Sequence, residues 1–469
     1  MIDRIATLPL PLKARGLSFN LRLRNWFKLE VVWVPALLLL HMALGVVFTQ
    51  APVLATLHFG LVLCAAGWVF ISSFSLARMA YFGAYITGAE TLWRMSRAAI
   101  PWEIAKYALV VLFVVSLLRV GRLRGPLLPF LFFLLLLPAT VLPLSDLTLP
   151  ALQEELSFNL SGPLALTVCL WFFSNVNLAP QQLHRLWLAG LCPTLAVASF
   201  TLHGILTAKT LVFTHGSNAA LSGGFGPAQV SATLGLGVLL SFLWVVDQTV
   251  SRSLRLVLLV LLLYLLGQCA LTFSRGGLYM ALGGALAATF FAAHDRKTRL
   301  VLCASLLTLG LAIAFFVLPG LDRFTEGKFT KRLQDTGLTG RDSMLVGDLQ
   351  VFSEHLIFGV GPGQTGKFRT QAGNSNTAHA HTEFSRLLAE HGLFGAAAIL
   401  VLLLIGLQNF AAARTPRERG LVLAMLCWGV IFMFSLAMRL VAPSFTFGLS
   451  AVSVGPPDNA NPSPQPQRN

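Results

Sequence analysis

Long apolar runs alternate with short polar links along most of this chain. The runs fall near 31–49, 52–74, 104–118, 126–145, 157–177, 186–206, 229–247, 254–272, 276–294, 299–318, 393–411 and 421–440. Most hold the roughly 20 apolar residues that a helix needs to cross the hydrocarbon of a bilayer. Backbone in lipid must satisfy its own polar groups, and separate long runs do so as helices. The expected fold is an all-α integral membrane protein of about 12 transmembrane helices. The stretch 75–103 fits less readily, because Met79 to Ile86 is apolar but short and Trp93, Arg94 and Arg97 follow. An interfacial helix, a re-entrant segment and a weak further crossing are all compatible with it.

The links set the orientation. Arg119, Arg122 and Arg124 share one link, Arg252 and Arg255 another, His294 to Arg299 a third, and Arg414, Arg417 and Arg419 a fourth. Simple alternation from Arg119 onward puts all four on one side, which the positive-inside bias makes cytoplasmic. The other side then holds the acidic link Asp146 to Glu155, the link 207–228, the turn at Ser274-Arg275 and a long polar loop, 319–392. That loop is too long for a turn, and long loops usually carry function. Pieces near Gln350–Leu356 and Thr382–His391 read as helices, the second with Phe384, Leu387 and Leu388 on a face suited to resting on the membrane surface. The chain thus divides into a basic N-terminus (1–30), a bundle of about ten helices (31–318), the loop (319–392), the last transmembrane helices (393–441) and a Pro/Asn-rich tail (442–469), expected to be disordered.

Composition agrees. The chain is 55% hydrophobic and only 11% charged, against roughly 25% charged in a soluble domain. The net charge of +15 belongs to the links and implies no nucleic-acid partner. The cysteines are isolated within apolar segments and read as small buried hydrophobes. The basic first 28 residues show no short apolar core with a small-residue cleavage site, so the first apolar run reads as an uncleaved anchor.

Four places can carry chemistry. Ser274-Arg275-Gly276-Gly277 sets an arginine at the hydrocarbon edge, where it either snorkels or has a role. Its two glycines would let a bulky ligand approach. Gly340-Arg341 is followed by Gly359, Gly361 and Gly363, a pattern that reads either as an ordinary loop turn or as an anion cradle of backbone N–H groups. His379 and His381 precede a helix for which Thr382 is the natural N-cap. His381 is then placed to accept a proton, while a His-x-His metal site lacks a third ligand and a structural histidine stays open. Ser222 to Ser231 is a Gly-rich helix entry containing Gln229, with Lys209 and His215 just upstream. Intramembrane acids, the mark of many ion-coupled transporters, are nearly absent from the apolar runs.

These motifs, in this order around one outer loop, resemble the O-antigen ligase/polymerase superfamily of bacterial inner-membrane glycan transferases. His381, Thr382, Gly392 and Gly395 match that family's signature spacing. Thr382 replaces the usual Asn, Ser or Gln, and Ala396-Ala397 stand where many ligases have a Thr pair. The resemblance spans about residues 200–440. It implies a glycan donor on undecaprenyl pyrophosphate and an acceptor hydroxyl on a glycolipid or glycan, joined at the periplasmic face of the inner membrane. Under that reading Arg275 and Arg341 receive the departing pyrophosphate and His381 is the base. Ser274, Gly276, Gly361, Gly363, His379, Glu383, Gln229 and Lys209 contact substrate, and neither metal nor cofactor is required. The product is an inverted linkage. A repeat-unit polymerase of the same superfamily and a lipid-linked glycan transporter are the alternatives.

Overall fold

The computed structural model describes residues 13–455 apart from 122–124, 146, 209–217, 248, 335–340, 372–380 and all but four positions of 293–317. The basic link 294–299, the tail beyond 455, and Lys209, His215, Gly340 and His379 therefore lie outside the described residues.

The described chain is helical almost throughout. In order, α1 is Lys13–Gln50, α2 Pro52–Ser72, α3 Leu76–Met95, α4 Ile104–Val120, α5 Leu127–Leu134, α6 Leu149–Phe173, α7 Pro180–Thr207, α8 Pro227–Val245, α9 Arg252–Leu271 and α10 Gly276–Ala292. The polar loop adds α11 (Leu318–Phe324), α12 (Lys328–Gln334), α13 (Arg341–Glu354) and α14 (Thr365–Gln371). Three more follow: α15 (Glu383–Ala412), α16 (Pro416–Ser435) and α17 (Ala442–Leu449). Among the described residues nine helices are long and apolar enough to span a membrane. Local chemistry sets their starts. Ser75, Ser251, Thr382 and Thr415 each accept the N–H three residues on, which pairs one of the otherwise orphaned donors of a first turn.

Burial sorts the helices into layers. The spans of α7 and α8 are 78% buried and form the centre, whereas those of α1 and α15 are 28% and α2 22% buried, leaving Leu and Val side chains for lipid. Small residues permit the central contacts. A Cβ on Gly235 would meet the Gly277 carbonyl oxygen at 2.3 Å, and one on Gly45 the Ala196 carbonyl oxygen at 2.1 Å.

The segment 75–103 forms α3, a helix enclosed by protein. Every residue from Ile86 to Met95 is buried, and its glycines fit against neighbouring helices, Gly83 by Phe113 of α4 and Gly88 by Pro193 of α7. Facing helices rather than lipid, it needs no continuous apolar surface, so hydropathy under-reads it. Counting α3 as a crossing also brings the basic N-terminus to the same end as the Arg119 link.

At that basic end, Asp247 pairs with His184 at 2.8 Å and with Arg417. β1 (Asn177–Leu178) pairs in parallel with β2 (Ser453–Val454), Asn177 opposite Ser453. Residues 442–455 are thus not part of a disordered tail. The chain unwinds after Ser435, runs irregularly to Val441, and returns through α17, wholly buried, to the basic end. The far end, opposite the basic links, holds the polar loop and the site.

Candidate functional site

Ser274-Arg275-Gly276-Gly277 turns α9 into α10 at the far end. Ser274 is buried and its carbonyl accepts the Ser231 hydroxyl at 2.7 Å, while Gly277 N–H donates to the Ser231 oxygen at 3.1 Å. A Cβ on Gly277 would lie 1.9 Å from the Ser231 carbonyl oxygen, so this glycine admits α8, not a ligand as the sequence suggests. Gly276 has room, its nearest prospective neighbours being Met280 at 3.5 Å and Ser435 at 3.7 Å. Arg275 is half-buried. Gln229 lies in the first turn of α8, its side-chain oxygen buried without a hydrogen-bond partner among the described residues.

Arg341 opens α13, and its side chain lies outside the described residues. The helix is anchored by Asp348, which receives the Ser385 hydroxyl at 2.7 Å and pairs with the fully buried Arg369 of α14 at 3.1 Å. Burial pushes the Asp348 carboxyl above its usual range against the opposing pull of Ser385 and Arg369.

Gly359, Gly361 and Gly363 have φ of 70°, 89° and 78°, a region that L side chains rarely enter. The turn they make closes on the start of α15. Val360 N–H donates to the Ala389 carbonyl and Gly361 N–H to that of Glu390, both at 3.0 Å. The Gly363 N–H faces the Glu390 carboxylate.

His381 and Thr382 lead into α15, which has two parts. Gly392, at φ 60° and ψ −136°, breaks it after His391. A Cβ there would meet the Leu356 carbonyl oxygen at 2.5 Å, and one on Gly395 the Leu387 carbonyl oxygen at 1.9 Å. The expected helix from Thr382 to His391 is therefore present, but it is enclosed rather than surface-lying. Leu387 is fully buried and Phe384 packs on Phe434, ring centroids 4.5 Å apart.

Enclosure is possible because the helix pairs its own charges. Arg386 bridges Glu383 at 2.5 Å and Glu390 at 2.7 Å. Glu383 also accepts the Met438 N–H of the unwound segment at 3.0 Å. Three residues on, Val441 N–H donates to Glu90 at 2.6 Å and Arg94 donates to the Arg439 carbonyl at 2.8 Å. Arg94 pairs with Glu90 at 2.7 Å, Lys106 with Glu103 at 2.5 Å, and the Arg439 guanidinium lies 5.0 Å over the Phe158 ring. Buried acids are present in the bundle, at positions outside the apolar runs. Glu90, Glu103, Glu383 and Glu390 surround the unwound segment, each with a cationic neighbour. The spacings Glu90–Arg94 and Glu383–Arg386–Glu390, three or four apart on a helix, were the available sequence signal. Among the described residues no three His, Cys, Asp or Glu side chains converge as a metal site requires.

The end of α16 joins the two outermost motifs. Ser435 lies beside Gly276, and the adjacent Phe434 packs on Phe384, three residues from His381. Residues 257–400 match a family model described as O-antigen ligase. This O-antigen ligase domain, about a third of the chain, supports membership of the O-antigen ligase superfamily. The match takes in Arg275, Arg341, the glycine turn, His381, Gly392 and Gly395, and ends before the unwound segment. Membership supports glycosyltransferase activity of the O-antigen ligase/polymerase type in a multi-pass membrane protein, with lipid-linked glycans as substrates. No curated protein sequence matches the chain.

Proposed function

We propose that this O-antigen ligase relative transfers a glycan from undecaprenyl pyrophosphate to an acceptor hydroxyl at the far end of the bundle, facing the periplasm from the inner membrane. The observation that carries the reading is the approach of the Arg275 turn and the His381 helix to adjacent residues, Ser435 and Phe434, of α16.

In this reading His381 accepts the proton of the acceptor hydroxyl as its oxygen attacks the anomeric carbon. The carbon–oxygen bond to the pyrophosphate breaks, and the diphosphate departs with its added charge against the guanidinium groups of Arg275 and Arg341. Arginine suits that task because it stays charged and presents paired donors to phosphate oxygens. One displacement inverts the anomeric centre. The Glu383–Arg386–Glu390 ladder and the glycine turn fix the helix that follows His381, so its position is set before substrate arrives. In the same reading Ser274, Gly276, Gln229, Gly361, Gly363, Glu383, Lys209 and His379 are assigned to substrate contact.

The test is transfer from lipid-linked glycan by purified protein in nanodiscs. His381→Ala and Arg275→Ala abolish product while donor binding persists in His381→Ala. Full product yield from either variant removes that residue from the mechanism.

A further inference from the structure

A second hollow lies where the turn between α3 and α4 meets the far part of α6. It measures 470 Å³ and is lined by Trp102, Glu103, Tyr107, Glu154, Ser157 and Phe158. Tyr107 and Ser157, hydrogen-bonded at 2.8 Å, also line an adjoining groove of 570 Å³ between α4, α5 and α6. That groove is walled by Leu152, Leu156, Leu160, Leu164 and Phe133. The two spaces are of ligand size and of opposite chemistry, one aromatic and acidic, the other a leucine trough within a membrane span.

Glu103 shows that the first space is built for a ligand. Its side chain is over nine-tenths buried. Lys106 and Ser161 hold Oε2, but Oε1 has no hydrogen-bond partner among the described residues, and Arg94 is 3.9 Å away, beyond hydrogen-bond reach. A buried acceptor is normally hydrogen-bonded; here one, with Arg94 only at ion-pair distance, belongs to a residue that lines the hollow. Beside it Trp102 is 47% exposed, with Arg94 over its ring at 4.4 Å and the Phe225 ring centroid 5.9 Å away. An interfacial aromatic belt accounts for Trp102 and Tyr107 but not for two carboxylates set beside them.

An aromatic ring presents a negative face to the C–H groups of a sugar, and carboxylates take hydroxyl protons in strong, charge-assisted bonds. Glu103 and Glu154 line the space, while Arg94 and Arg439 sit over its Trp102 and Phe158 rings at 4.4 Å and 5.0 Å, so acids and cations offset and favour an uncharged ligand. We propose that the hollow and the groove together form the acceptor subsite, which takes a glycolipid with an uncharged saccharide head on Trp102, Glu103 and Glu154 and its lipid chain along the leucine groove. The acceptor role rests on the transferase reading; the binding does not.

The probe is dodecyl maltoside carrying a diazirine in its chain, photolysed with the full-length protein in nanodiscs. The label is expected on α6 between Leu152 and Leu164. Octyl glucoside displaces it and farnesyl diphosphate does not. Trp102→Leu and Glu154→Gln each reduce labelling by roughly fivefold, the scale of one lost polar contact. Leu156→Trp, which fills the groove, removes it, and circular dichroism confirms that each variant is folded. Equal labelling by a sugar-free dodecyl diazirine, unchanged labelling in the variants, or displacement by farnesyl diphosphate overturns the proposal. In turnover, Trp102→Leu raises KM for a glycolipid acceptor and keeps kcat. Labelling without any transfer sinks the transferase reading and leaves the subsite standing; transfer without labelling of α6 does the reverse.

Discussion

Glu383 accepts the Met438 N–H at 3.0 Å while it pairs with Arg386 at 2.5 Å. One carboxylate thus ties the first turn after His381 to the unwound segment that follows α16. Glu383→Gln keeps an acceptor for Met438 but loses the ion pair, and Glu383→Ala loses both. Removing one partner of a buried pair costs about 3–5 kcal/mol in either variant, and Glu383→Ala also orphans the Met438 N–H, so it has the lower Tm in detergent and the lower transfer rate. Equal behaviour of the two variants would show that the Met438 bond contributes nothing.

Gly392→Ala places a methyl 2.5 Å from the Leu356 carbonyl oxygen at a φ of 60°. Strain of this kind costs on the order of 1–3 kcal/mol before any clash is counted. The expected result is a lower Tm and faster proteolytic cleavage between α14 and α15. Gly406→Ala is the control, because its Cβ meets only ordinary contacts at 3.7 Å and an alanine there favours the helix.

Asp348 and Arg369 hold α13 to α14 inside protein. Asp348→Leu or Arg369→Met alone leaves the partner buried without its counter-charge, a loss of about 3–5 kcal/mol. The double variant Asp348→Leu/Arg369→Met recovers part of it. Strict additivity of the single effects in thermal unfolding would mean the pair is not coupled.

Asp247 gives a pH signature at the basic end. Burial works to raise its carboxyl, but the His184 ring, the Thr249 N–H and hydroxyl, and Arg417 outweigh burial and hold it well below its ordinary 3.8. A depressed carboxyl contributes stability above its unfolded value and loses it as pH falls through the folded value. The Tm gap between the natural chain and Asp247→Asn is therefore full at neutral pH and narrows below about pH 4. A gap that is constant with pH would deny the linkage.

If guanidinium groups receive the pyrophosphate, chelation leaves transfer intact, and Arg275→Lys, with a point charge in place of a fork, lowers kcat by on the order of 10²-fold. Loss of product in EDTA, with recovery on adding magnesium, contradicts that assignment.

Hydropathy located the helices whose flanks meet lipid. The runs at 52–74, 254–272 and 393–411 correspond to α2, α9 and the second part of α15, which are largely exposed along their spans. It under-read α3 because a helix surrounded by protein can place Thr87, Glu90, Thr91 and Arg94 inward, where each finds a partner. It also joined 421–440 into one run, although the chain unwinds after Ser435 so that its N–H groups reach Glu383 and Glu90. At the site, the glycines at 392 and 395 were legible as a motif, but not as the kink they make. The partners that require them, Leu356 and Leu387, become neighbours only through the fold. The pairing of charges around Met438 to Val441 was hidden for the same reason, since its members come from α3, α4, α15 and the unwound segment, far apart in sequence.

The short parallel pairing of Asn177 with Ser453 bears on biogenesis. The segment that completes the polar centre follows α3 and α15 in the chain, and its place lies between helices made before it. Until it threads back to Asn177, the acids of α3 and α15 await their backbone donors in a half-closed bundle. Closure of the polar centre is therefore a latch rather than an anchor, and Glu383 and Glu90 gain their backbone donors only once that latch is shut.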